Sequence, residues 1–512
     1  MSKEYLKYLF KSKKGLCIFI WIVNILNLIS LTMSGNLEGK RSIFSLFVAC
    51  VLLGIETIVI VPLFYNFIHS KKAVDTYFSL PVTRKQLLVT SQLFINISIL
   101  APFIVMSIAS LIIGIKDQAI ASPGAFALVV LFAVLTVIVF IAFETSIFVE
   151  ANSTFDGVVL IGSYFIMPLF VYIAVSIFNE RFIAGINPLY VEKTISYISL
   201  PTSIFICEGN LANRVMECSG DCSIFMHSQL VLLICLALHM LVSVYALKKN
   251  FIERKVERAE TISNRFFSYP FVICFYTAIL LLITTMSFIA DSKGMIRFDI
   301  AESLIYIGIF VFYMIAKFIY KRKIEFKLKD ITFFVVALVV SLLLSSISFK
   351  AKGFNLYNLY DHNPNNIAIH YDGWYDEGEI FDLVKKKAPE IENVYVMFEI
   401  VVDQKDMETN KELVDYIESI RQKSIDSFYN QSTDCNYLSI MTNYDEKNLK
   451  ENGYYSSLDN DRAYYAEAPS IPLSDILKYK DHVHNFYIDT YTSNDNLSFS
   501  LDDLVANNET QS

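Results

Sequence analysis

Long apolar runs recur through the first 350 residues, and they constrain the fold more than any other feature of the sequence. The hydrocarbon core of a bilayer is about 30 Å thick, so a helix needs roughly 20 mostly apolar residues to cross it. The runs reach this length, which predicts an α-helical polytopic membrane protein. Nine transmembrane helices are expected, at about residues 15–33, 43–68, 88–114, 122–149, 157–178, 226–247, 268–290, 301–320 and 331–349.

Basic residues in the connections between these runs predict the orientation. With the N-terminus inside, the inner segments carry 20 Lys and Arg residues and the outer loops carry 8. Short cytoplasmic loops are enriched in Lys and Arg, so we expect a multi-pass protein of the cell membrane with its N-terminus in the cytoplasm. Nine spans then place the chain after Phe349 outside, whereas a count wrong by one span would place it in the cytoplasm.

Residues 350–512 differ in character and are expected to form an acidic soluble α+β domain, extracytoplasmic in this orientation. Residues 351–512 have a net charge of −17, whereas the rest of the chain has a net charge of +9. Alternating apolar residues predict strands there, and amphipathic spacing predicts helices. Strands are expected at 366–371, 393–402, 437–442 and 485–491, and helices at 377–389 and 408–429.

Two segments outside the spans are predicted to lie at the membrane surface or to dip into it. Residues 1–14 place apolar side chains on one helical face among lysines, which predicts an interfacial helix on the inner leaflet. The loop at 179–225 is too apolar for water and too often interrupted by proline to span. A re-entrant pair of short helices is therefore expected at 183–206, with a surface loop as the alternative. This loop also contains three cysteines, Cys207, Cys218 and Cys222. One disulfide between two of them is compatible with an outer location, and the sequence does not decide whether it forms.

Sequence motifs for bond-breaking chemistry are missing. The string closest to a nucleotide-binding loop is GNLEGKRS, at residues 35–42. Its glycines are one residue too close, and Arg41 stands where Ser or Thr would hold magnesium. No nucleophile elbow, zinc-binding helix or EF-hand spacing is present. The sequence therefore predicts that this chain is not an enzyme and that it binds no metal, cofactor or nucleic acid itself.

Ionisable and amide side chains within the spans are candidates for function, because they are costly in lipid. Glu56 lies near the middle of the second predicted span, and Glu144 lies in the inner half of the fourth. These carboxyl groups are predicted either to line a translocation path or to join helices, and a hydrogen bond between neighbouring helices would also account for them. Asn96, in the third span, is expected to bond between helices.

The stretch HSKKAVDTYFSLPVTRKQ, residues 69–86, separates the second and third spans. A helix at 70–80 would have an apolar face of Ala73, Val74, Tyr77 and Phe78 and a polar face of Lys71, Lys72, Asp75 and Ser79. Pro81 cannot continue that helix, because it lacks an amide donor and its ring clashes one turn back. We therefore expect a short amphipathic helix parallel to the membrane, followed by a helix that Thr83 caps.

This stretch resembles the corresponding part of ABC-2 type permeases, the membrane subunits of one class of ABC exporter. In that family an acidic residue, a Leu-Pro pair and a basic residue follow one another between the second and third spans. Here Asp75, Leu80-Pro81 and Arg84 take those places. The sequence is thus similar to a permease at the point where the family receives its partner subunit.

Further features agree with the resemblance. The interfacial helix, a six-span core at 15–260 and the charged segment at 253–260 occur in the order typical of the family. Charges at helical spacing in that segment predict that it continues the sixth span into the cytoplasm as a solvated helix. Three additional spans, at 261–349, and the C-terminal domain depart from the family's pattern.

The resemblance implies a permease with no ATPase activity of its own. Such a subunit forms a homodimer, or pairs with a related permease subunit, and binds ABC ATP-binding subunits that hold the ATP and magnesium. Closure of those subunits would push on the helix at 70–80. The residues implied in this coupling are Asp75, Tyr77, Phe78, Leu80, Pro81 and Arg84. The extra spans and the outer domain point, by analogy, to export in antimicrobial peptide or drug resistance.

Two other functions are compatible with the sequence. A membrane-anchored sensor or scaffold would read an extracellular ligand through residues 351–512. An ion-coupled secondary transporter would use Glu56, and its transport would depend on a proton gradient rather than on ATP.

Overall fold

The structure is a computed structural model of the protein. It describes residues 3–33, 41–116, 123–186, 199–200, 223–255, 257, 259, 261, 267–296, 299–359, 366–387, 389–391, 393–430, 436–442, 464–468, 471–490 and 497–499.

Helices dominate the chain up to residue 350. They are α1 (Lys3–Ser12), α2 (Lys14–Met33), α3 (Arg41–Tyr65), α4 (Lys71–Phe78), α5 (Arg84–Lys116), α6 (Pro123–Glu150), α7 (Thr154–Phe182), α8 (Ser223–Leu247), α9 (Tyr269–Asp291), α10 (Ile300–Lys321) and α11 (Leu328–Lys350). In the described part of the chain, α3 and α5 to α11 supply eight helices that are long and apolar enough to cross a membrane. The length and composition of these helices are consistent with the predicted helical polytopic class, and the count of nine spans stays a prediction. The first predicted span coincides with α2, whose described apolar part, Lys14–Leu26, is shorter.

The chain divides into two compact units, each built from several stretches of sequence. The first unit comprises Met1–Tyr172, Val191–Ile279 and Ile307–Ile331. The second unit comprises Ile173–Tyr190, Leu280–Tyr306 and Thr332–Ser512. The C-terminal region therefore groups with parts of four long helices instead of standing as a separate body.

Within the first unit, α6 packs against α3, α5 and α8, and α2 packs against α3 and α5. The amphipathic helix α1 also belongs to this bundle, because Tyr5 and Leu9 are buried. The Phe10 ring meets Phe94 of α5 at a centroid distance of 4.9 Å. The N-terminal helix predicted from its apolar face exists, and protein covers part of that face.

Within the second unit, the C-terminal region forms a seven-stranded antiparallel sheet in the order β1-β5-β4-β2-β3-β6-β7. The strands are β1 (Gly185–Ile186), β2 (Ile367–Tyr375), β3 (Val394–Val402), β4 (Asn436–Thr442), β5 (Tyr464–Ala468), β6 (Val483–Thr490) and β7 (Leu497–Phe499). The helices of this region are α12 (Glu379–Lys387), α13 (Gln404–Thr409), α14 (Lys411–Asn430) and α15 (Leu473–Lys478). The four predicted strands and both predicted helices are confirmed.

Side-chain alternation builds the core of this sheet. Tyr371 of β2 pairs in register with Phe398 of β3 and with Leu438 of β4, and all three are fully buried. The Tyr371 and Phe398 rings stack at a centroid distance of 5.0 Å. Residues two apart on a strand share a face, so this register turns one face of each strand towards the core.

The C-terminal end of α14 joins the sheet region to helix ends of the same unit. The Tyr429 hydroxyl donates to the Phe182 carbonyl over 2.7 Å, and its ring meets Phe349 at 5.7 Å. Lys352 Nζ lies 3.3 Å from the Asp426 carboxylate. These contacts tie the sheet region to the ends of α7 and α11 within the second unit.

The segment predicted to form re-entrant helices, 183–206, has a short β-strand near its start. Gly185 and Ile186 form β1 and pair with Tyr465 and Tyr464 of β5. Residues 187–198 and 201–206 of that segment lie outside the described residues, and so do Cys207, Cys218 and Cys222. The re-entrant pair and the disulfide therefore stay predictions.

A pH-dependent contribution to stability is expected from the sheet. The Glu399 carboxylate on β3, 3.4 Å from His370 Nδ1, raises the pKa of His370, and the Asp372 carboxylate acts in the same direction against the opposing effect of burial. A raised pKa in the folded state stabilises the fold fully below the unfolded pKa, about 6.5, and this stabilisation is lost as pH rises through the folded value.

Thermal unfolding of the whole protein measures this contribution. The melting temperature of wild type should exceed that of His370→Gln most near about pH 5.5 and least near about pH 9. Asp382→Asn, at an exposed position on α12, serves as the control and should show no such trend. An equal difference at both pH values would contradict the assignment.

Candidate functional site

The short helix α4 lies where several connections of the first unit meet. It ends at Phe78, and the Ser79 amide donates to the Asp75 carbonyl over 3.1 Å. The chain then turns at Leu80-Pro81, because proline has no amide donor to continue the helix. Pro81 is exposed, whereas Leu80 is half-buried against the core of the bundle.

The predicted amphipathic character of α4 is confirmed, and the bundle itself covers the apolar face. Val74 is fully buried, and the Tyr77 ring stacks on Phe67 at 4.0 Å. Phe78 meets the buried Phe251 ring at 6.2 Å. The exposed side chains on the polar face are Lys71, Lys72, Asp75, Thr76 and Ser79. Of the predicted coupling residues, Asp75 and Pro81 are therefore accessible, whereas Tyr77, Phe78 and Leu80 pack inward.

A capping box fixes the start of α5. Thr83 Oγ1 accepts from the Gln86 amide over 3.2 Å, and Gln86 Oε1 accepts from the Thr83 amide over 3.1 Å. Reciprocal bonds of this kind satisfy two amide donors that the first turn of a helix leaves without partners. The capping role expected of Thr83 is confirmed.

Arg84 is directed at backbone carbonyls of the bundle. Its Nη1 atom donates to the Arg254 carbonyl over 2.7 Å and to the Ile252 carbonyl over 3.2 Å. Its guanidinium carbon also lies 4.3 Å from the centroid of the Phe78 ring. The residue expected from the resemblance to couple to a partner subunit thus holds α4 and the segment after α8 together.

Arg254 is a buried residue that the sequence did not single out. Its side chain donates to the carbonyls of Val149 and Ala151, with both Nη atoms 3.1 Å from the Ala151 oxygen. Only 2% of Arg254 is exposed. The prediction that the helix continues through 253–260 is wrong. Helix α8 passes into a π-helical segment, Lys248–Ile252, and the chain leaves the helix at Glu253. An arginine within a charged run gives no sequence signal that distinguishes it from its solvated neighbours.

Other polar contacts bring the same connections together. His69 Nε2 lies 3.1 Å from the Phe148 carbonyl, and the Tyr269 hydroxyl donates to Asp156 over 3.0 Å. The connections α3–α5, α6–α7 and α8–α9 therefore meet at one end of the first unit. Alternating spans require this, since every second connection must lie on the same side.

The carboxyl groups of Glu56 and Glu144, inside the bundle, differ in their hydrogen bonding. Asn24 Nδ2 donates to Glu56 Oε1 over 2.7 Å and so joins α2 to α3. Glu144 is fully buried, and neither of its carboxylate oxygens has a hydrogen-bond partner among the described residues. The helix-joining role predicted for Glu56 has a matching contact, whereas Glu144 has none.

Asn96 does not supply the interhelical bond expected of it. Its Nδ2 atom donates to the Gln92 carbonyl of its own helix over 2.8 Å. Gln92 instead bridges helices, because its Nε2 atom donates to Thr145 Oγ1 over 2.8 Å and to the Tyr65 hydroxyl over 3.1 Å. The two residues lie one turn apart on α5, so the sequence alone could not tell which faced a neighbour.

Comparison with known proteins finds no relative. No protein-family model, curated protein or solved structure matches this chain. Within the described ranges, no group of three or more His, Cys, Asp or Glu side chains could hold a metal ion.

Proposed function

We propose that this chain is the permease subunit of an ATP-binding cassette transporter in the cell membrane, with its N-terminus in the cytoplasm. A separate ATPase subunit supplies ATP, magnesium and hydrolysis, and the permease couples them to substrate export. Export of antimicrobial peptides or drugs is the use to which the additional helices and the acidic domain point. The chain itself carries out no bond-breaking step.

One observation carries the proposal. Helix α4 is short, turns an apolar face into the bundle and presents a charged face outward at the end where three connections meet. An element packed in this way can receive a push on its outer face and pass it to the helices behind. The order of Asp75, Leu80-Pro81 and Arg84 along it is the order that the resemblance relates to ABC-2 permeases.

Exposed apolar side chains support the partners proposed within the membrane. Phe155, Leu241, Phe312 and Ile319 are each about two-thirds exposed or more. A lipid bilayer covers such side chains, and so does a second copy of the chain or a related permease subunit. Large apolar side chains exposed in such number support a membrane or protein interface.

The proposal predicts that charge reversal on the polar face of α4 weakens the complex with the ATPase. The permease should co-purify with an ABC ATP-binding subunit from the same cell. Lys72→Glu and Asp75→Lys should each weaken that association about tenfold, because like charges then face each other across the interface. Titration of one tagged subunit with the other measures the change.

The control is Asp382→Lys, the same charge reversal at an exposed position of α12. It should leave the association unchanged. Wild-type protein that binds no ATP-binding subunit would overturn the proposal. Transport that continues without ATP and stops when the proton gradient is abolished would favour the secondary transporter instead.

A sensor function is the second candidate, and the packing of α14 is what favours it. The Tyr429–Phe182, Tyr429–Phe349 and Lys352–Asp426 contacts tie the sheet region to helix ends within the second unit. A ligand bound by the sheet would therefore act directly on those helices. Deletion of residues 351–512 should abolish a ligand response while ATPase association survives, if sensing is the role.

A further inference from the structure

We infer that Arg84 and Arg254 are positioning residues that make α4, the inner end of α6 and the segment after α8 move as one body. The inference rests on the proposed function for its purpose, since it describes how a push on α4 reaches the helices. Its geometry stands on contacts within the first unit. Both arginines donate to backbone carbonyls of the bundle.

The first link runs from α4 to the segment after α8. Arg84 begins α5, and its guanidinium lies over the Phe78 ring at the end of α4. The same guanidinium donates to the carbonyls of Ile252 and Arg254. A planar guanidinium can stack on an aromatic ring while it donates in its own plane, which a lysine ammonium cannot reproduce.

The second link runs from that segment to the end of α6. Arg254 donates both Nη atoms to the Ala151 carbonyl, and Nη1 also donates to the Val149 carbonyl. Val149 lies in the last turn of α6, where carbonyls have no intrahelical partner and carry partial negative charge. A buried arginine satisfies these groups and is held by them in return.

The links are in series, because the carbonyl that accepts from Arg84 belongs to Arg254. A displacement of α4 that moves Arg84 must move the backbone of Arg254, whose side chain holds the end of α6. Phe251 reinforces the chain of contacts, since its buried ring meets both Phe78 and, at 6.0 Å, Tyr65 at the end of α3.

The contacts from α4 through Arg84 and Arg254 to the end of α6 are called the relay below. Hydrogen–deuterium exchange on the purified protein tests it. In Arg84→Gln, amides of residues 149–153 should exchange about tenfold faster, although Arg84 does not touch them, because loss of a charge-assisted hydrogen bond destabilises its neighbours by that order. Lys85→Gln, at the exposed adjacent position, is the matched control and should leave them unchanged. Arg84→Lys keeps the charge without the planar fork, and it replaces Arg84→Gln if that variant does not fold.

Faster exchange confined to residues 71–84, or no change at 149–153 in either variant, would overturn the relay. A second measurement separates this result from the proposed function. Arg84→Gln should bind the ATPase subunit as wild type does but transport less substrate for each ATP hydrolysed, whereas Asp75→Lys should lose binding. If wild type binds no ATPase subunit, the proposed function fails, and the exchange result still decides whether the three segments are joined.

Discussion

Replacement of Arg254 by alanine is expected to lower the free energy of unfolding by about 3 kcal/mol. The substitution leaves the buried carbonyls of Val149 and Ala151 without their donors and opens a cavity where a fully enclosed side chain stood. Each buried polar group left without a partner costs about 1–3 kcal/mol. The melting temperature of the detergent-purified protein, followed by size-exclusion chromatography after heating, measures the loss.

Lys255→Ala is the control for this substitution, because Lys255 is the next residue and is exposed. Its effect should stay within about 0.5 kcal/mol, as is usual for surface positions. Arg254→Lys should fall between the two, since an ammonium restores the charge but not two aligned donors. Equal melting temperatures for Arg254→Ala and Lys255→Ala would show that Arg254 does not hold the end of α6.

Opposite effects are expected from two substitutions of Glu144. Glu144→Gln keeps the shape and removes the possibility of a buried charge, so the protein should fold and melt at or above the wild-type temperature. Glu144→Lys places an ammonium where none of the described residues is within hydrogen-bonding reach of the native side chain, and an unpaired buried ion costs several kcal/mol. We expect Glu144→Lys to abolish accumulation of folded protein.

The control is Glu257→Lys, which makes the same charge change at an exposed position and should be tolerated. Transport by Glu144→Gln then decides between the two roles open for this residue. Wild-type transport would assign Glu144 to structure alone. Loss of transport in a protein with an unchanged melting temperature would place its carboxyl group on the translocation path.

Helices were predictable from the sequence to a useful degree, because a single physical requirement governs them. Every predicted span coincides with a helix whose ends lie within four residues of the prediction. The strands of the C-terminal region followed from alternation, except for β1, β5 and β7, which are short and have little room for a pattern. Segment length therefore decided which elements the sequence revealed.

The site was predictable only in part. The two faces of α4 and the Thr83 cap followed from local spacing, which depends on residues one turn apart. The destinations of Arg84 and Arg254 did not, because their partners are backbone carbonyls distant in sequence, and every residue has a carbonyl. Gln92 escaped notice for a related reason, since its partners Tyr65 and Thr145 lie on other helices.

Strand β1 has a consequence for how the protein is made. Gly185 and Ile186 of β1 follow α7 and are synthesised early. Their partners in β5 are synthesised only after more than half of the chain has been added. Pairings of such long sequence separation form late. Until β1 pairs with β5, the edge of β5 opposite β4 has no neighbouring strand. An unpaired strand edge favours association with other chains. Completion of the sheet therefore requires that α8 to α11 have been synthesised and that the two distant segments have met.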